Sequence, residues 1–101
     1  MFKEDLLKNK VILVTGGGTG LGKSMATRFG ELGANLVIGS RREDVITKAA
    51  QELEQTGVEV LGVKCDVRQM DQVNDMVSAA LDKFGQIDIL LNAIEEVIKD
   101  I

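Results

Sequence analysis

Four short apolar runs, rich in β-branched residues, alternate with three longer segments of helical periodicity along the chain. The apolar runs are KVILVT (10–15), NLVIGS (35–40), VEVLGVKC (58–65) and IDILLNA (87–93). The helical segments cover about residues 20–32, 42–56 and 69–84. A glycine suited to a left-handed helix end follows each helical segment, at Gly33, Gly57 and Gly85. This alternation is typical of successive βαβ units, which build a parallel sheet.

The strand order follows from the right-handed crossover rule, which predicts the order 3-2-1-4 with helices on both faces of the sheet. The fold class is therefore α/β, half of a doubly wound Rossmann fold with four parallel strands. The first and last apolar runs are nearly unbroken, so we expect both strands to be buried on both faces. With 101 residues and 45% hydrophobic content, residues 1–101 are expected to form a single half-Rossmann domain.

Composition excludes several classes of function. A net charge of -4 argues against a nucleic-acid-binding surface, because phosphate backbones are held by clustered Lys and Arg. No apolar run is long enough to span a membrane, no signal-like N-terminus is present and Cys65 is the only cysteine, so we expect a cytoplasmic protein without membrane contact. The chain has no His and no Tyr, which excludes imidazole chemistry and a phenolic proton donor. We therefore expect no catalytic residue and no metal site in this chain.

The glycine-rich stretch VTGGGTGLGKS (14–24) matches two kinds of phosphate-binding loop. From Gly17 it has the spacing G-x-x-x-x-G-K-S, in which Lys23 would reach the phosphates of a nucleoside triphosphate and Ser24 would hold Mg²⁺. From Thr15 it has the spacing T-G-x-x-x-G-x-G, a turn that seats a dinucleotide pyrophosphate on a helix N-terminus. Both designs need small residues where backbone N–H groups approach an anion, so the loop alone leaves both open.

The ends of the later strands favour the dinucleotide. A triphosphatase needs an Asp for Mg²⁺ at the end of the strand beside the loop strand, but that run ends in Asn92 and Ala93. Asp66 follows the third run, which the predicted order places two strands from the loop. With a dinucleotide, Lys23 and Ser24 are ordinary residues of the first helical turn, exposed to water.

The end of the second strand favours NADP over NAD. An acidic residue there would accept hydrogen bonds from both ribose hydroxyls of NAD, whereas Ser40 and Arg41 suit a 2′-phosphate. The alternative is that Arg41 and Arg42 only solvate the start of the next helix. Cations have the unfavourable sign for that end of the helix dipole, so a ligand phosphate explains them better.

The chain resembles the short-chain dehydrogenases/reductases over about residues 9–93. The resemblance rests on TGGGTGLG (15–22), SR (40–41), CDV (65–67) and DILLNA (88–93). It implies that Asp66 binds the adenine amino group and that Val67 packs on the ring; the alternative for Asp66 is an N-cap of the helix starting near Gln69. The branch most similar to this chain is that of the dienoyl-CoA reductases, which reduce unsaturated acyl-CoA thioesters. The cofactor-binding residues are thus expected to be Gly16, Thr19, Gly20, Leu21, Gly22, Ser40, Arg41, Asp66, Val67 and Asn92.

The chain departs from the family pattern after the fourth strand. The family usually has N-N-A-G there, whereas this chain continues from Asn92 with Ala93, Ile94 and Glu95. Family members also use a Tyr, a Lys four residues later and a Ser beyond that strand, and this chain contains no Tyr. We expect it to bind NADP without turning over substrate by itself. The alternatives are a structural or engineered half-fold, or assembly module, with an idle glycine loop, and an Mg²⁺-dependent nucleoside triphosphatase.

The last eight residues, IEEVIKDI (94–101), have the spacing of a short amphipathic helix. Ile94, Val97, Ile98 and Ile101 lie on one face, and a helix this short must pack against something to persist. The fourth strand would also present an open apolar edge without Pro or Lys. We expect two copies to form a homodimer through this edge; the alternative is a monomer whose terminal helix covers its own edge.

Overall fold

The computed structural model describes residues 6–16, 18 and 20–92, and within these it contains four strands and three helices in strict alternation. They are β1 (Val11–Thr15), α1 (Gly20–Glu31), β2 (Asn35–Ser40), α2 (Glu43–Glu54), β3 (Val60–Lys64), α3 (Met70–Phe84) and β4 (Ile89–Asn92). Each element confirms a predicted one, although several end earlier than expected. The longest described helix, α3, has 15 residues, and none of the three has the length and apolar content needed to cross a bilayer. The predicted helix at 94–101 lies outside the described residues.

The strands form one parallel sheet in the order β3-β2-β1-β4, as predicted. Thr15, at the end of β1, lies opposite both Gly39 of β2 and Asn92 of β4. Ser40, at the end of β2, lies opposite Lys64 of β3. The last residues of all four strands therefore meet along one side of the sheet, which we call the carboxyl edge.

Alternate residues of the central strands face two separate layers of the core, because side chains of a strand point to opposite faces. On one face, residues of β1 and β2 pack against α1 and α2; they are Ile12, Val14, Leu36 and Ile38, with Ala26, Ile46, Ala49 and Leu53 from the helices. On the other face, α3 packs on β1 and β2 through Met76 and Ala80, against Val11, Leu13 and Val37. All five residues of β1 are buried, as predicted for a strand covered on both faces.

The prediction that the last apolar run is also buried on both faces is wrong. In β4, 61% of Leu90 and 42% of Ile89 are exposed. The physical reason is the position of the strand: β4 pairs with β1 on one side, and no other described strand pairs with its outer side. Since α3 packs on β1 and β2, it leaves much of β4 uncovered. Leu91, on the opposite face, packs against the layer formed with α1 and α2.

The glycines that follow the helices have the predicted left-handed conformation, with φ of 99° at Gly33, 92° at Gly57 and 76° at Gly85. At the end of α3, the N–H of Gly85 donates to the carbonyl of Leu81 at 2.8 Å and closes the last turn. The helices thus end where the chain must reverse toward the next strand.

Candidate dinucleotide-binding site

The turn after β1 is a glycine turn that leads directly into α1. Gly16 has a φ of 72°, and its N–H donates to the carbonyl of Gly39 in β2 at 2.8 Å. Gly20, with a φ of 57°, begins α1. Residues with a side chain rarely adopt these φ values, which explains glycine at both positions. Thr19, predicted to contact the cofactor, lies outside the described residues.

Gly18 is a further residue of this turn, and the motif did not predict it as a cofactor contact. A Cβ at this position would lie 2.7 Å from Cγ1 of Val45 in α2 and 3.3 Å from Cβ of Ser40. The turn therefore lies directly against the end of β2 and the start of α2, and only a residue without a side chain fits there. The sequence does contain a hint of this contact, since Gly18 is the third of three consecutive glycines. The dinucleotide motif allows any residue at that position, so the motif alone does not explain the glycine.

The N-terminus of α1 has no acidic residue in its first turn. By contrast, α2 begins with Glu43 and Asp44, and α3 has Asp71. A helix N-terminus has a partial positive charge, which acidic side chains neutralise and bound anions exploit. Of the described helices, α1 is thus the one whose first turn is suited to an anionic ligand. Gly22 is buried beneath this turn, whereas Leu21 is exposed.

Lys23 is engaged with α2 rather than with the loop. Its ammonium group forms an ion pair with Glu52 and lowers the pKa of that carboxyl. The prediction that Lys23 is simply exposed to water is therefore wrong, because α1 and α2 lie side by side on the same face of the sheet. In a triphosphate loop this lysine must reach the phosphates, so its contact with Glu52 does not support the triphosphatase alternative. Ser24 is exposed, as predicted.

The two arginines after β2 have different surroundings. Arg42 is the N-cap residue of α2, and its guanidinium forms an ion pair with Asp44 at 3.0 Å. Its N–H also donates a long hydrogen bond of 3.4 Å to Oγ of Ser40. The sequence left open that both arginines act only at the start of the following helix. That role fits Arg42, which is the N-cap residue of α2 and pairs with Asp44. Arg41 is exposed and lies close enough to Asp66 for its charge to help lower the pKa of that carboxyl.

Asp66 follows β3 at the carboxyl edge, where the N–H of Cys65 donates to the carbonyl of Ser40 at 2.8 Å. Hydrogen bonds from the Arg68 side chain and backbone, with the added charge of Arg41, lower the pKa of Asp66 from 3.8 to about 2. Asp66 is thus a permanently ionised acceptor near neutral pH. The N-cap alternative for Asp66 is wrong, because α3 has Gln69 as its N-cap residue and no side-chain cap.

Val67 and Asn92 line one cleft between α3 and the ends of β1 and β4. The cleft has a volume of about 210 Å³. The Thr15 hydroxyl, which also lines the cleft, donates a hydrogen bond to Oδ1 of Asn92 and so joins the ends of the two strands. The remaining lining is apolar, from Leu13, Met70, Val73, Met76, Val77 and Leu90.

The structure therefore brings the predicted cofactor residues together along the carboxyl edge. In parallel α/β sheets this is where ligands bind, outside the carboxyl ends of the strands. The described members of the predicted set lie at this edge, in the turn after β1 or in the first turn of α1: Gly16, Gly20, Leu21, Gly22, Ser40, Arg41, Asp66, Val67 and Asn92.

The sequence matches known proteins over most of its length. The family model for short chain dehydrogenase matches residues 10–94. The chain is 38% identical over 92 residues to the peroxisomal 2,4-dienoyl-CoA reductase [(3E)-enoyl-CoA-producing] of Arabidopsis thaliana. That match covers 91% of this chain and 31% of the Arabidopsis protein.

Solved structures share the fold. A short chain dehydrogenase from Bacillus anthracis has a TM-score of 0.81 and 43% identity, covering 87% of this chain and 35% of that one. A short chain dehydrogenase/reductase from Burkholderia phymatum in complex with NAD has a TM-score of 0.80 and 34% identity. The match covers 89% of this chain and 31% of the Burkholderia chain. The chain spans about a third of the length of these relatives. The family match and the shared parallel sheet together show that the chain belongs to the short chain dehydrogenase family.

Proposed function

We propose that this chain is the NADP-binding part of a short chain dehydrogenase that acts as an oxidoreductase. The observation that carries the proposal is the packing of the glycine turn against Ser40, with Arg41 next to it. A Cβ at Gly18 would lie 2.7 Å from Cγ1 of Val45 and 3.3 Å from Cβ of Ser40, so the turn lies directly against the end of β2 and the start of α2. This packing joins an anion-binding helix N-terminus to a hydroxyl and a guanidinium, which are the groups that bind phosphates.

We propose a position in the glycine turn or along the carboxyl edge for each part of the dinucleotide. We assign the pyrophosphate to the glycine turn and the first turn of α1, from Gly16 to Gly22, with Thr19 among its predicted contacts. We assign the 2′-phosphate to Ser40 and Arg41. The remaining assignments are the adenine to Asp66 and Val67, and the nicotinamide side to Asn92.

The proposed preference for NADP rests on the positive charge of Arg41 at the end of β2, where no acidic residue is adjacent in sequence. NAD would be favoured by a carboxylate that accepts from the ribose hydroxyls. The acidic residue closest in sequence after Ser40 and Arg41 is Glu43, in α2, and Asp44 is already paired with Arg42. The Burkholderia protein binds NAD, and NAD is the alternative cofactor here.

A bound nicotinamide dinucleotide supplies hydride transfer. The likeness to a dienoyl-CoA reductase suggests unsaturated acyl-CoA thioesters as the substrate class of the reaction. The 101 residues contain no Tyr to serve as the family's proton donor, so we propose that this chain by itself binds NADPH without oxidising it. Sustained oxidation of NADPH by the pure chain with an enoyl thioester would contradict this. The single buried, free Cys65 suits a reducing compartment, and we propose the cytoplasm.

Replacing Arg41 tests the proposed function. Wild-type protein should bind NADPH more tightly than NADH in fluorescence titrations. Arg41→Ala should weaken NADPH binding by about 1–3 kcal/mol, because it removes a charge-assisted contact to the 2′-phosphate, and should leave NADH binding almost unchanged. Arg42→Ala is the matched control, since this neighbouring arginine is paired with Asp44 and should keep the preference for NADPH.

Two outcomes would contradict the proposal. Equal losses of NADPH and NADH binding in Arg41→Ala would show that Arg41 supports the local fold rather than the phosphate. Failure of the wild-type chain to bind either cofactor at millimolar concentration would favour the second candidate, a structural or assembly module. The exposed Leu90 and Ile89 on β4 are the observation that favours that candidate, because exposed apolar strands recruit partners.

A further inference from the structure

Arg68 holds the Asp66 carboxylate through three hydrogen bonds. Oδ1 accepts from the backbone N–H of Arg68 at 3.0 Å and from its Nε at 3.1 Å. Oδ2 accepts from the terminal nitrogen Nη2 of Arg68 at 2.9 Å. A carboxylate has about four acceptor positions, two on each oxygen. Oδ1 is therefore fully used, and Oδ2 has one acceptor position left for a further donor.

The rest of Asp66 is also fixed. Its backbone N–H donates to Oε1 of Gln72 in α3 at 2.8 Å, and its carbonyl accepts from the N–H of Gln69 at 2.9 Å. Only 18% of the Asp66 side chain is exposed, whereas 70% of the Arg68 side chain is exposed. Arg68 thus covers the solvent side of the carboxylate and adds little to the hydrophobic core.

The remaining acceptor position on Oδ2 has a specific chemical preference. An exocyclic amino group of a purine donates hydrogen bonds, whereas a carbonyl oxygen at the same position would face the ionised carboxylate with like polarity. If the carboxylate could rotate freely, it would have to be ordered when an amino group binds, and this ordering has an entropic cost. The preference for an amino group over a carbonyl oxygen would then be smaller.

We propose that Arg68 is a positioning residue for purine recognition: its guanidinium orients the Asp66 carboxylate so that Oδ2 presents one acceptor to the amino group of an adenine ring. This inference rests on the proposed function, since it requires that a dinucleotide binds at the carboxyl edge. Arg68 acts through Asp66, so its effect should appear in the choice between two bases rather than in the stability of the fold.

The test compares NADPH with its hypoxanthine analogue, which has a carbonyl in place of the adenine amino group. Both ligands have the 2′-phosphate, so contacts to Arg41 cancel in the ratio of their dissociation constants. The wild-type chain should prefer NADPH, and Arg68→Ala should reduce that preference by about three- to tenfold. Arg68→Lys, which keeps the charge and loses the planar fork, should restore part of the preference. The control is Arg28→Ala on α1, an exposed arginine paired with Glu31 at 3.3 Å, which should leave the ratio unchanged.

A double-mutant cycle shows whether Arg68 acts through Asp66. Asp66→Ala and the double variant Asp66→Ala/Arg68→Ala should have the same ratio, because Arg68 has no carboxylate left to orient. A further drop in the double variant would overturn the inference, since Arg68 would then contact the base directly.

The remaining outcomes are distinguishable. If Arg68→Ala folds with an unchanged ratio, the inference is wrong while the proposed function stands. If Arg68→Ala increases the preference for NADPH, Arg68 competes with adenine and the inference is also wrong. If Arg68→Ala does not fold, the ratio in Arg68→Lys decides, because a reduced preference supports the inference and an unchanged one overturns it. If the wild-type chain binds neither ligand, the proposed function fails and the inference fails with it.

Discussion

At the residue scale, Gly18 shows how packing rather than backbone conformation can require glycine. The backbone angles of Gly16 and Gly20 already account for two of the glycines in the turn. Gly18 instead lies against Cγ1 of Val45, where an added methyl group would be 2.7 Å away. Because valine is stiff about its first side-chain torsion, it cannot easily make room. An added side chain must therefore move the turn away from β2.

A substitution at Gly18 should consequently affect stability and binding together. We predict that Gly18→Ala lowers the free energy of unfolding by about 1–3 kcal/mol, as overpacking does, and weakens NADPH binding because the turn shifts. Urea unfolding and fluorescence titration measure the two effects. Adding Val45→Ala, which removes the clashing methyl group, should recover part of both losses. Strictly additive losses in the double variant would show that Gly18 and Val45 do not interact.

At the element scale, Asp88 joins the start of β4 to the start of β1. Its Oδ2 accepts from the N–H of Val11 at 2.8 Å and from Nε2 of Gln86 at 2.7 Å. Its own N–H donates to the carbonyl of Val11 at 2.9 Å. The Val11 N–H, the Gln86 amide and the charge of Lys10 lower the pKa of Asp88 below its usual 3.8. The ionised carboxylate is thus part of what holds β4 in register with β1.

This arrangement predicts a pH-dependent contribution to stability. A lowered folded-state pKa means that Asp88 stabilises the fold above pH 3.8 and that this contribution is lost as the pH falls through the folded pKa. Asp88→Asn should therefore lower the urea midpoint near neutral pH, and the difference from wild type should shrink below about pH 4. Asp82→Asn, at an exposed position on α3, is the control and should have little effect at either pH. An Asp88→Asn difference that stays constant with pH would contradict this explanation.

At the scale of the whole molecule, the outer edge of β4 is the surface through which we propose that two copies associate. Within the described residues β4 has a strand partner on one side only, and Leu90 and Ile89 are exposed on its surface. Unpaired N–H and C=O groups on an apolar strand are a template for pairing with another chain. We propose that two copies pair their β4 strands antiparallel about a two-fold axis, so that one sheet continues through both subunits.

The alternative is a monomer in which residues 94–101 cover the same edge. These residues lie outside the described part of the chain, so sequence alone supports that helix. Sedimentation at micromolar concentration separates the two arrangements. A dimer mass is expected for wild type, and Leu90→Lys should convert it to a monomer because it places a charge on the pairing surface. Leu81→Lys, which changes an exposed leucine on α3, should remain a dimer. A wild-type monomer that Leu90→Lys leaves unchanged would contradict edge pairing.

The order of elements, the strand order 3-2-1-4 and the position of the glycine turn could be predicted from the residues alone. These features depend on local periodicity, on glycine and on the handedness of crossovers. The sequence also predicted that Ser40, Arg41, Asp66 and Asn92 meet at one edge, because they lie at or just after the carboxyl ends of parallel strands. Their role in binding a cofactor stays a prediction, as does the choice of NADP.

Contacts between elements, and which side of a strand is covered, could not be predicted in this way, because they depend on how the elements pack in three dimensions. Lys23 meets Glu52 because α1 and α2 lie side by side, and Gly18 is confined because α2 brings Val45 over the turn. The apolar content of the last run predicted a buried strand, but its exposure depends on its neighbours in the sheet. The Arg68 contact with Asp66 is local in sequence, yet arginine has many rotamers, and composition does not say which acceptor it binds.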